Sequence, residues 1–221
     1  MILNCLITGV GGQGTVLMSR LIGGAAIKAG LEVRGAETIG MAQRGGSVVS
    51  HLRLGDGGIY SPLIAPAEAD IIIAFESAEA VRVLPFLAPS GSMIVLNRGI
   101  PPVTSALSDK KYDPAEMIAY LKNTVVVPGR LTVLDSGELI RRCGNSRVLN
   151  VALLGAALAK GLFPFNADHI AALIKERLAP QFVEMNLKAL ETGLGSLYHA
   201  LGAPGPVGAV MVKVSPTGSS T

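Results

Sequence analysis

A glycine-rich turn placed directly after the first apolar segment is the feature that most constrains how this chain folds. Residues 1–8 form a short apolar run, and the sequence GVGGQG follows at positions 9–14, before a helical pattern begins. The spacing G-x-G-x-x-G lets the backbone turn tightly from a strand into a helix, and it points amide groups toward an anion. The sequence therefore predicts a strand–turn–helix unit with a candidate anion- or nucleotide-binding loop. Its residues are Gly9, Gly11, Gly12, Gln13 and Gly14.

Alternating strand and helix patterns continue through the first hundred residues. Apolar periodicity predicts helices over 14–29 and 77–87, and it predicts strands over 2–8, 31–36, 47–54, 69–75 and 93–96. The glycines around Asp56 predict a turn after the third strand, with a short hairpin partner at 59–60. This alternation favours a Rossmann-like α/β fold with a mainly parallel sheet and helices on both faces.

The second half of the chain is predicted to be largely helical. Short strands are expected at 124–127 and 131–134, and helices are expected at 114–122, 135–142, 148–160, 166–179 and 180–201. The helix at 148–160 is apolar on nearly all sides, so it is either a central core helix or a subunit interface. We expect one domain over residues 1–202, followed by a flexible tail at 203–221 in which 207–214 has strand character.

The composition indicates a chain that buries much of its surface. Hydrophobic residues make up 49% and charged residues 16%, with a mean hydropathy of +0.48. The uncharged run at 148–159 is much shorter than the roughly 20 residues of a membrane span, and no basic leader pattern opens the sequence. The net charge of +3 comes from dispersed Lys and Arg, which disfavours nucleic acid as a partner. We therefore expect a cytoplasmic protein that is part of an assembly, with no membrane or nucleic-acid partner.

A second glycine-rich segment, GMAQRGGS at positions 40–47, places an arginine between flexible stretches of backbone. Arg44 has two interpretations: it binds an anionic ligand or a partner carboxylate bidentately, or it is a solvated loop arginine. If Arg44 is functional, we expect the loop at 41–47 to reach a partner subunit or an active-site region. The candidate residues are Met41, Gln43, Arg44, Gly45, Gly46 and Ser47.

Nucleotide binding at the first loop requires more than glycines. A dinucleotide site adds an acidic residue after the second strand to bind a ribose hydroxyl, and Glu37 is the residue that could serve. The alternative is that the glycines only form a tight turn. Two functions therefore remain open from the residues alone: a stand-alone NAD(P)-dependent oxidoreductase, and a nucleotide-binding module without turnover.

Motifs for metal and thiamine chemistry are incomplete in this sequence. Cys5 and Cys143 are the two cysteines and form no CxxC pair, so this chain cannot ligate a four-cysteine iron–sulfur cluster by itself. None of the three histidines has a partner at metal-ligand spacing, and His51 alternates along a strand in a way that favours a structural or interface role. The GDG at 55–57 begins like a thiamine diphosphate motif but lacks the later asparagine. We interpret it as a turn, and we expect no metal or cofactor bound by this chain alone.

Four segments together carry a family resemblance. They are ITGVGGQGTVLMSRLIGGAAIKAG (7–30), ETIGMAQRGGSVVSHLRLG (37–55), YSPLIAPAEADIIIAFE (60–76) and RGIPPVT (98–104). The chain resembles the gamma-type domain of the 2-oxoacid:ferredoxin oxidoreductases, and within that family it is most similar to the small (beta) subunits of indolepyruvate ferredoxin oxidoreductases. The resemblance covers residues 1–200, and GMAQRGGSVVSH is its most specific part.

The resemblance implies an accessory role in oxidative decarboxylation. Such enzymes convert a 2-oxoacid, here an arylpyruvate such as indolepyruvate, to an acyl-CoA and pass the electrons to ferredoxin. Thiamine diphosphate, Mg and the iron–sulfur clusters are then expected on a large partner subunit, with CoA as a co-substrate. The resemblance also implies that the chain is inactive without that partner, in an assembly such as a dimer of heterodimers. It assigns no catalytic residue to this sequence.

Overall fold

A computed structural model describes residues 1–39, 46–99 and 112–200, although the side chains of Ile39 and of residues 197–200 are not described. Its strands are β1 (Ile2–Val10), β2 (Glu32–Ile39), β3 (Ser47–Gly55), β4 (Ala69–Ala74), β5 (Leu87–Leu96) and β6 (Leu131–Leu134). Its helices are α1 (Thr15–Lys28), α2 (Ser77–Val83), α3 (Pro114–Thr124), α4 (Ser136–Cys143), α5 (Leu149–Ala159), α6 (Ala167–Arg177) and α7 (Pro180–Ala200). Short 3-10 helices lie at Leu84–Phe86 and Ser146–Val148.

The strands form one six-stranded mixed sheet in the order β2-β3-β1-β4-β5-β6. β1, β4, β5 and β6 pair in parallel, whereas β3 is antiparallel to both β1 and β2. The predicted α/β fold with a mainly parallel sheet is confirmed. The antiparallel strand was not predicted, because the strand pattern of β3 does not reveal whether the chain returns through a helix or through a direct turn.

Helices cover both faces of the sheet and enclose two hydrophobic cores. On one face, Cys5 and Ile7 of β1 pack with residues of α1, α4, α5, α6 and α7. On the other face, Leu6 packs with Ile72 of β4 and with residues of α2 and α3. Because neighbouring residues of β1 point to opposite faces, this one strand contributes to both cores.

Helix α5 lies inside the larger core. Ten of its residues, Leu149 through Leu158, are buried, so the structure supports the core-helix alternative for this segment. Helix α7 approaches α5 very closely, since a methyl group at Gly155 would overlap the carbonyl oxygen of Leu190. A methyl group at Gly193 would likewise overlap the carbonyl oxygen of Ala152. Small residues on both helices are therefore what allows the two backbones to touch.

Helix starts were predicted well, whereas several short strands were not. Asp113 and Asp135 cap α3 and α4 by accepting hydrogen bonds from Ala115 N and Glu138 N. The strands expected at 59–60 and 124–127 are absent from the described chain. In the second of these segments, α3 ends at Thr124 and Val126 is 71% exposed. Strand β5 begins at Leu87 and is longer than expected, with a register shift against β4. The predictions for residues 203–221, including 207–214, lie outside the described residues.

Gly193 provides a test of the α5–α7 packing. We expect Gly193→Ala to destabilise the protein by about 1–3 kcal/mol, because the added methyl group meets backbone that cannot move aside. Gly195→Ala is the matched control, since a methyl group there lies 3.5 Å from the flexible end of Arg142 and gains helix propensity. Thermal and urea unfolding of both variants measure the difference. Equal stability of the two variants would contradict the close packing.

His51 connects β3 to the loop before β4. Its ring is buried, its Nδ1 accepts a hydrogen bond of 3.1 Å from the backbone N–H of Ile64, and it packs edge-on against Phe86. Burial lowers the pKa of His51 below its ordinary value of 6.5. The neutral ring is therefore part of the folded state, which supports the structural alternative of the structural or interface role predicted for this residue.

This lowered pKa gives a pH dependence with a definite sign. The unfolded chain binds the His51 proton more readily than the folded chain, so stability falls as pH drops below about 6.5 toward the folded-state pKa. His51→Gln keeps a hydrogen-bond acceptor but does not titrate, so its unfolding free energy should change less between pH 7 and pH 5. Urea unfolding at both pH values tests this. An unchanged pH slope in the variant would assign the loss to other groups.

Candidate functional site

The predicted glycine loop lies at the carboxyl-terminal edge of the parallel strands, beside a cavity of about 220 Å³. In the sheet, β3 and β2 lie on one side of β1, and β4 and β5 lie on its other side. The chain therefore changes direction across the sheet at β1. Such a switch point in an open α/β sheet is where ligands commonly bind. The residues that line the cavity are Gly12, Gln13, Phe75, Leu96, Arg98, Ser146, Arg147 and Leu149.

Gln13 and two glycines hold the loop in a tight turn. Gln13 Oε1 accepts a 2.8 Å hydrogen bond from Val10 N, and Gln13 N donates to Val10 O. A methyl group at Gly9 would lie 2.6 Å from Gln13 Oε1, and one at Gly14 would overlap the side-chain amide of Asn150. Gly14 also has a φ of 87°, a left-handed conformation that favours glycine. These positions are glycines for structural reasons.

Gly12 differs from its neighbours, because it faces open space. Its φ is 98°, and a methyl group there would meet nothing within 4 Å, so the backbone is accessible to a ligand in the cavity. Helix α1 begins three residues later, and its N-cap, Gly14, has no side chain to accept hydrogen bonds from the amides of the first turn. The Nε2 atom of Gln13 is buried without a hydrogen-bond partner in the described chain. This donor set suits an anion.

Two arginines add positive charge to the same cavity. Arg98 follows β5, and its carbonyl oxygen accepts hydrogen bonds from Ser77 N and Ser77 Oγ, which fixes the backbone at this point. Arg147 lies in the 3-10 helix that leads into α5. Neither guanidinium forms an ion pair with a described residue, and no acidic side chain lines the cavity. The cavity is therefore cationic and uncompensated within the described part of the chain.

The two glycine-rich segments meet in the structure. Gly11 N donates a 2.9 Å hydrogen bond to the carbonyl oxygen of Gly46. Ser47 Oγ donates a 2.5 Å hydrogen bond to Glu79, a buried carboxylate in the first turn of α2. The start of β3 is thus fixed beside the glycine loop. Met41, Gln43, Arg44 and Gly45 lie outside the described residues.

Glu37 does not accompany the glycine loop. It lies on the edge strand β2, opposite Ser50 of β3, and β3 separates it from β1. In a dinucleotide-binding sheet, the acidic residue follows a strand that is adjacent to β1. Its separation by an intervening strand, about 10 Å at the usual strand spacing, removes the acid that a ribose site needs next to the loop.

Sequence reasoning found the glycine loop but missed Arg98, Arg147 and Asn150. Arg98 occupies the position after a parallel strand, which is a signal that could have been used. Arg147 lines the cavity from the 3-10 helix before α5, and Asn150 lies against Gly14 from the first turn of α5. Nothing local in the sequence reveals either placement. Within residues 1–39, 46–99 and 112–200, each helix falls short of the length and apolar character of a membrane span.

Solved structures first show which known proteins share this fold. The fold matches the gamma subunit of a keto/oxoacid ferredoxin oxidoreductase from Geobacter sulfurreducens, with a TM-score of 0.63 and 21% identity over 92% of this chain and 98% of that one. It also matches a 2-oxoglutarate:ferredoxin oxidoreductase from Magnetococcus marinus, with a TM-score of 0.66 and 17% identity over 90% of this chain and 31% of that longer one. The chain therefore has the α/β fold of gamma-type oxidoreductase subunits.

Sequence comparisons then define the family. The model of the pyruvate ferredoxin/flavodoxin oxidoreductase family matches residues 4–196. The chain is 36% identical to indolepyruvate oxidoreductase subunit IorB of Pyrococcus horikoshii, over 86% of this chain and 94% of the relative. It is 39% identical to the subunit of the same name from Archaeoglobus fulgidus, over 86% and 93%. The chain belongs to the pyruvate ferredoxin/flavodoxin oxidoreductase family, as its motifs predicted, and its full-length relatives are oxidoreductase subunits.

Proposed function

We propose that this chain is the accessory small subunit of a cytoplasmic indolepyruvate-type oxidoreductase and is inactive without a large partner subunit. The observation that carries the proposal is its 36–39% identity to indolepyruvate oxidoreductase subunits over nearly their whole length. The complex would oxidatively decarboxylate an arylpyruvate, release an acyl-CoA and pass electrons to ferredoxin. Its assembly would be a dimer of heterodimers.

The donor set of this chain does not fit an iron–sulfur cluster. Cys5 and Cys143 are both buried, and they belong to different elements of the larger core. Burial raises the pKa of each thiol, which disfavours the thiolate that a metal needs. Across the described residues, no three His, Cys, Asp or Glu side chains gather at a metal-binding spacing. We therefore assign the clusters, thiamine diphosphate and Mg to the large subunit, and we derive no step through them here.

The cavity beside the glycine loop fits a phosphate-bearing co-substrate, for which we propose CoA. When bound, CoA supplies the thiol that accepts the acyl group. The chain's own contribution is to hold the anion: the amides of the first turn of α1 and Gln13 Nε2 donate hydrogen bonds, while Arg98 and Arg147 neutralise charge. Gly12 lets the phosphate approach the backbone. With Glu37 two strands away, the dinucleotide alternative is not supported.

The segment at 41–47 is our candidate for contact with the large subunit. Its described end, Gly46 and Ser47, is fixed against the anion loop and the start of α2. An arginine between glycines suits bidentate binding of a partner carboxylate. Placing this contact beside the cavity would join partner binding and co-substrate binding at one edge of the sheet.

Assembly tests the proposed role directly. A tagged chain purified from its own cells should recover a large subunit that contains thiamine diphosphate and iron–sulfur clusters. Arg44→Ala should lower that recovery several-fold while leaving the melting temperature unchanged, and Arg20→Ala, which changes an exposed arginine on α1, is the matched control. Quantitative mass spectrometry of the eluate measures the effect. Oxidation of indolepyruvate by the isolated chain would overturn the accessory role.

The cavity is tested by binding measurements on the purified complex. Replacing Arg98 or Arg147 by Ala should each weaken CoA binding about tenfold, because a charge-assisted hydrogen bond contributes roughly 1.5–3 kcal/mol. Calorimetric titration with CoA, ADP and pyrophosphate shows which part of the molecule is bound. Arg20→Ala again serves as the control. Unchanged CoA affinity in both variants would place the co-substrate elsewhere in the complex.

A further inference from the structure

A second concave surface follows the outer seam between α6 and α7. At one end it is a cavity of about 640 Å³, lined by Lys175, Pro180, Val183, Glu184, Leu187, Lys188 and Glu191. It continues past Leu187 and Glu191 to a smaller pocket formed with Ala167, Ala171 and Leu194. We call this surface the α6–α7 groove. It shares no lining residue with the cationic cavity, so it is a separate feature of the fold.

The floor of the α6–α7 groove is apolar. Val183, Leu187, Leu190 and Leu194 recur on α7 at spacings of four, three and four residues, which places them on one stripe of the helix. Val183, Leu187 and Leu194 are only partly buried, although the neighbouring face of α7 packs tightly against α5. The described chain therefore leaves this stripe half-covered.

Charges at the rim of the groove are balanced in sign. Lys175 and Lys188 lie beside Glu184 and Glu191. A strongly acidic or basic segment would be repelled by one pair as much as it is attracted by the other. The electrostatics of the rim therefore suit an apolar occupant with little net charge.

The chain carries such a segment directly after α7. Residues 207–214 read VGAVMVKV, with Lys213 as the single charge, and residues 215–221 are polar. Between Ala200 and Val207 the sequence LGAPGP contains two glycines and two prolines, which cannot continue a helix and favour a change of direction. The family match ends at residue 196, so this apolar segment is an addition to the shared domain.

The segment is long enough to cover the groove. The stripe from Val183 to Leu194 spans about 16 Å of helix, whereas eight extended residues span about 26 Å. Leu194 lies about 9 Å along the helix from Ala200, and a six-residue connection reaches about 20 Å. A chain that reverses after α7 and runs back along it therefore brings residues 207–214 over the stripe.

We propose that residues 207–214 dock in extended form into the α6–α7 groove of the same chain. The docked segment covers the apolar stripe of α7 and excludes other molecules from this face. This inference does not rest on the proposed enzymatic role.

Thiol labelling of the full chain tests the docking. In a Leu187→Cys protein, the new thiol should be alkylated at least fivefold faster when Val210→Asp and Val212→Asp are added, because carboxylates cannot enter the apolar groove. Adding Ser219→Asp and Ser220→Asp instead introduces the same charge beyond the docked segment and should leave the rate unchanged. Both native cysteines are buried, so we expect them to react slowly. Equal rates in all three proteins would overturn the proposal. If Leu187→Cys unfolds, Val183→Cys takes its place.

Disulfide formation distinguishes the same chain from a second copy. A Leu187→Cys, Val210→Cys protein should oxidise to a cross-linked monomer, at a rate independent of protein concentration. Val127→Cys, which lies 50% exposed outside α6 and α7, replaces Leu187→Cys in the control and should not cross-link with position 210. A cross-linked dimer would assign the groove to the tail of another copy and overturn docking within one chain. No cross-link above the control would overturn the docking altogether.

Discussion

Close backbone packing around helix α5 is the constraint on which the rest of the structure depends. At its first turn, Asn150 lies against Gly14, where a larger residue would not fit, and so α5 fixes the turn that starts α1. Farther along, Gly155 and Gly193 bring the α5 and α7 backbones into contact. The same helix presents Leu149 to the cationic cavity. One buried, small-residue helix thus connects the edge of the sheet that carries the glycine loop to the outer helical layer.

The glycines of this protein serve two separate purposes at one turn. Gly9 and Gly14 are close to Gln13 and Asn150, so their absent side chains make room for the fold itself. Gly12 faces open space, but its φ of 98° is a left-handed conformation that itself favours glycine. A motif of regularly spaced glycines therefore combines requirements of close packing with requirements of backbone conformation. The positions can be told apart by what a side chain would meet and by the sign of φ.

Local signals predicted the parts of the fold that depend on nearby residues. The strand–turn–helix at the start and the caps at Asp113 and Asp135 follow from interactions within a few residues. The segment at 124–127 shows the limit of such reasoning: its β-branched residues have strand propensity, but no neighbouring strand pairs with it. The antiparallel placement of β3 likewise depends on a connection whose geometry the pattern does not encode. Both errors concern long-range pairing.

In the candidate site, too, local features were predicted and long-range contacts were not. Its glycine loop is local and was predicted, whereas Arg98, Arg147 and Asn150 reach it from elements distant in sequence. Glu37 was assigned by spacing along the chain, and the strand order then separated it from the loop. Spacing along the chain predicts which residues are close in space only when the order of the intervening strands is known. Here β3 lies between β1 and β2, so Glu37 on β2 is separated from the glycine loop.

The size of the cationic cavity has a thermodynamic consequence. At about 220 Å³ it is smaller than the roughly 300–1,000 Å³ that encloses a typical small-molecule ligand. It can surround a phosphate group, whereas the remainder of the proposed co-substrate would rest on another surface. If that surface belongs to a second polypeptide, each binding event strengthens the other by the same factor, because linkage between two ligands is reciprocal. In that case, occupancy of the cavity by the ligand and association of the two polypeptides would each raise the other.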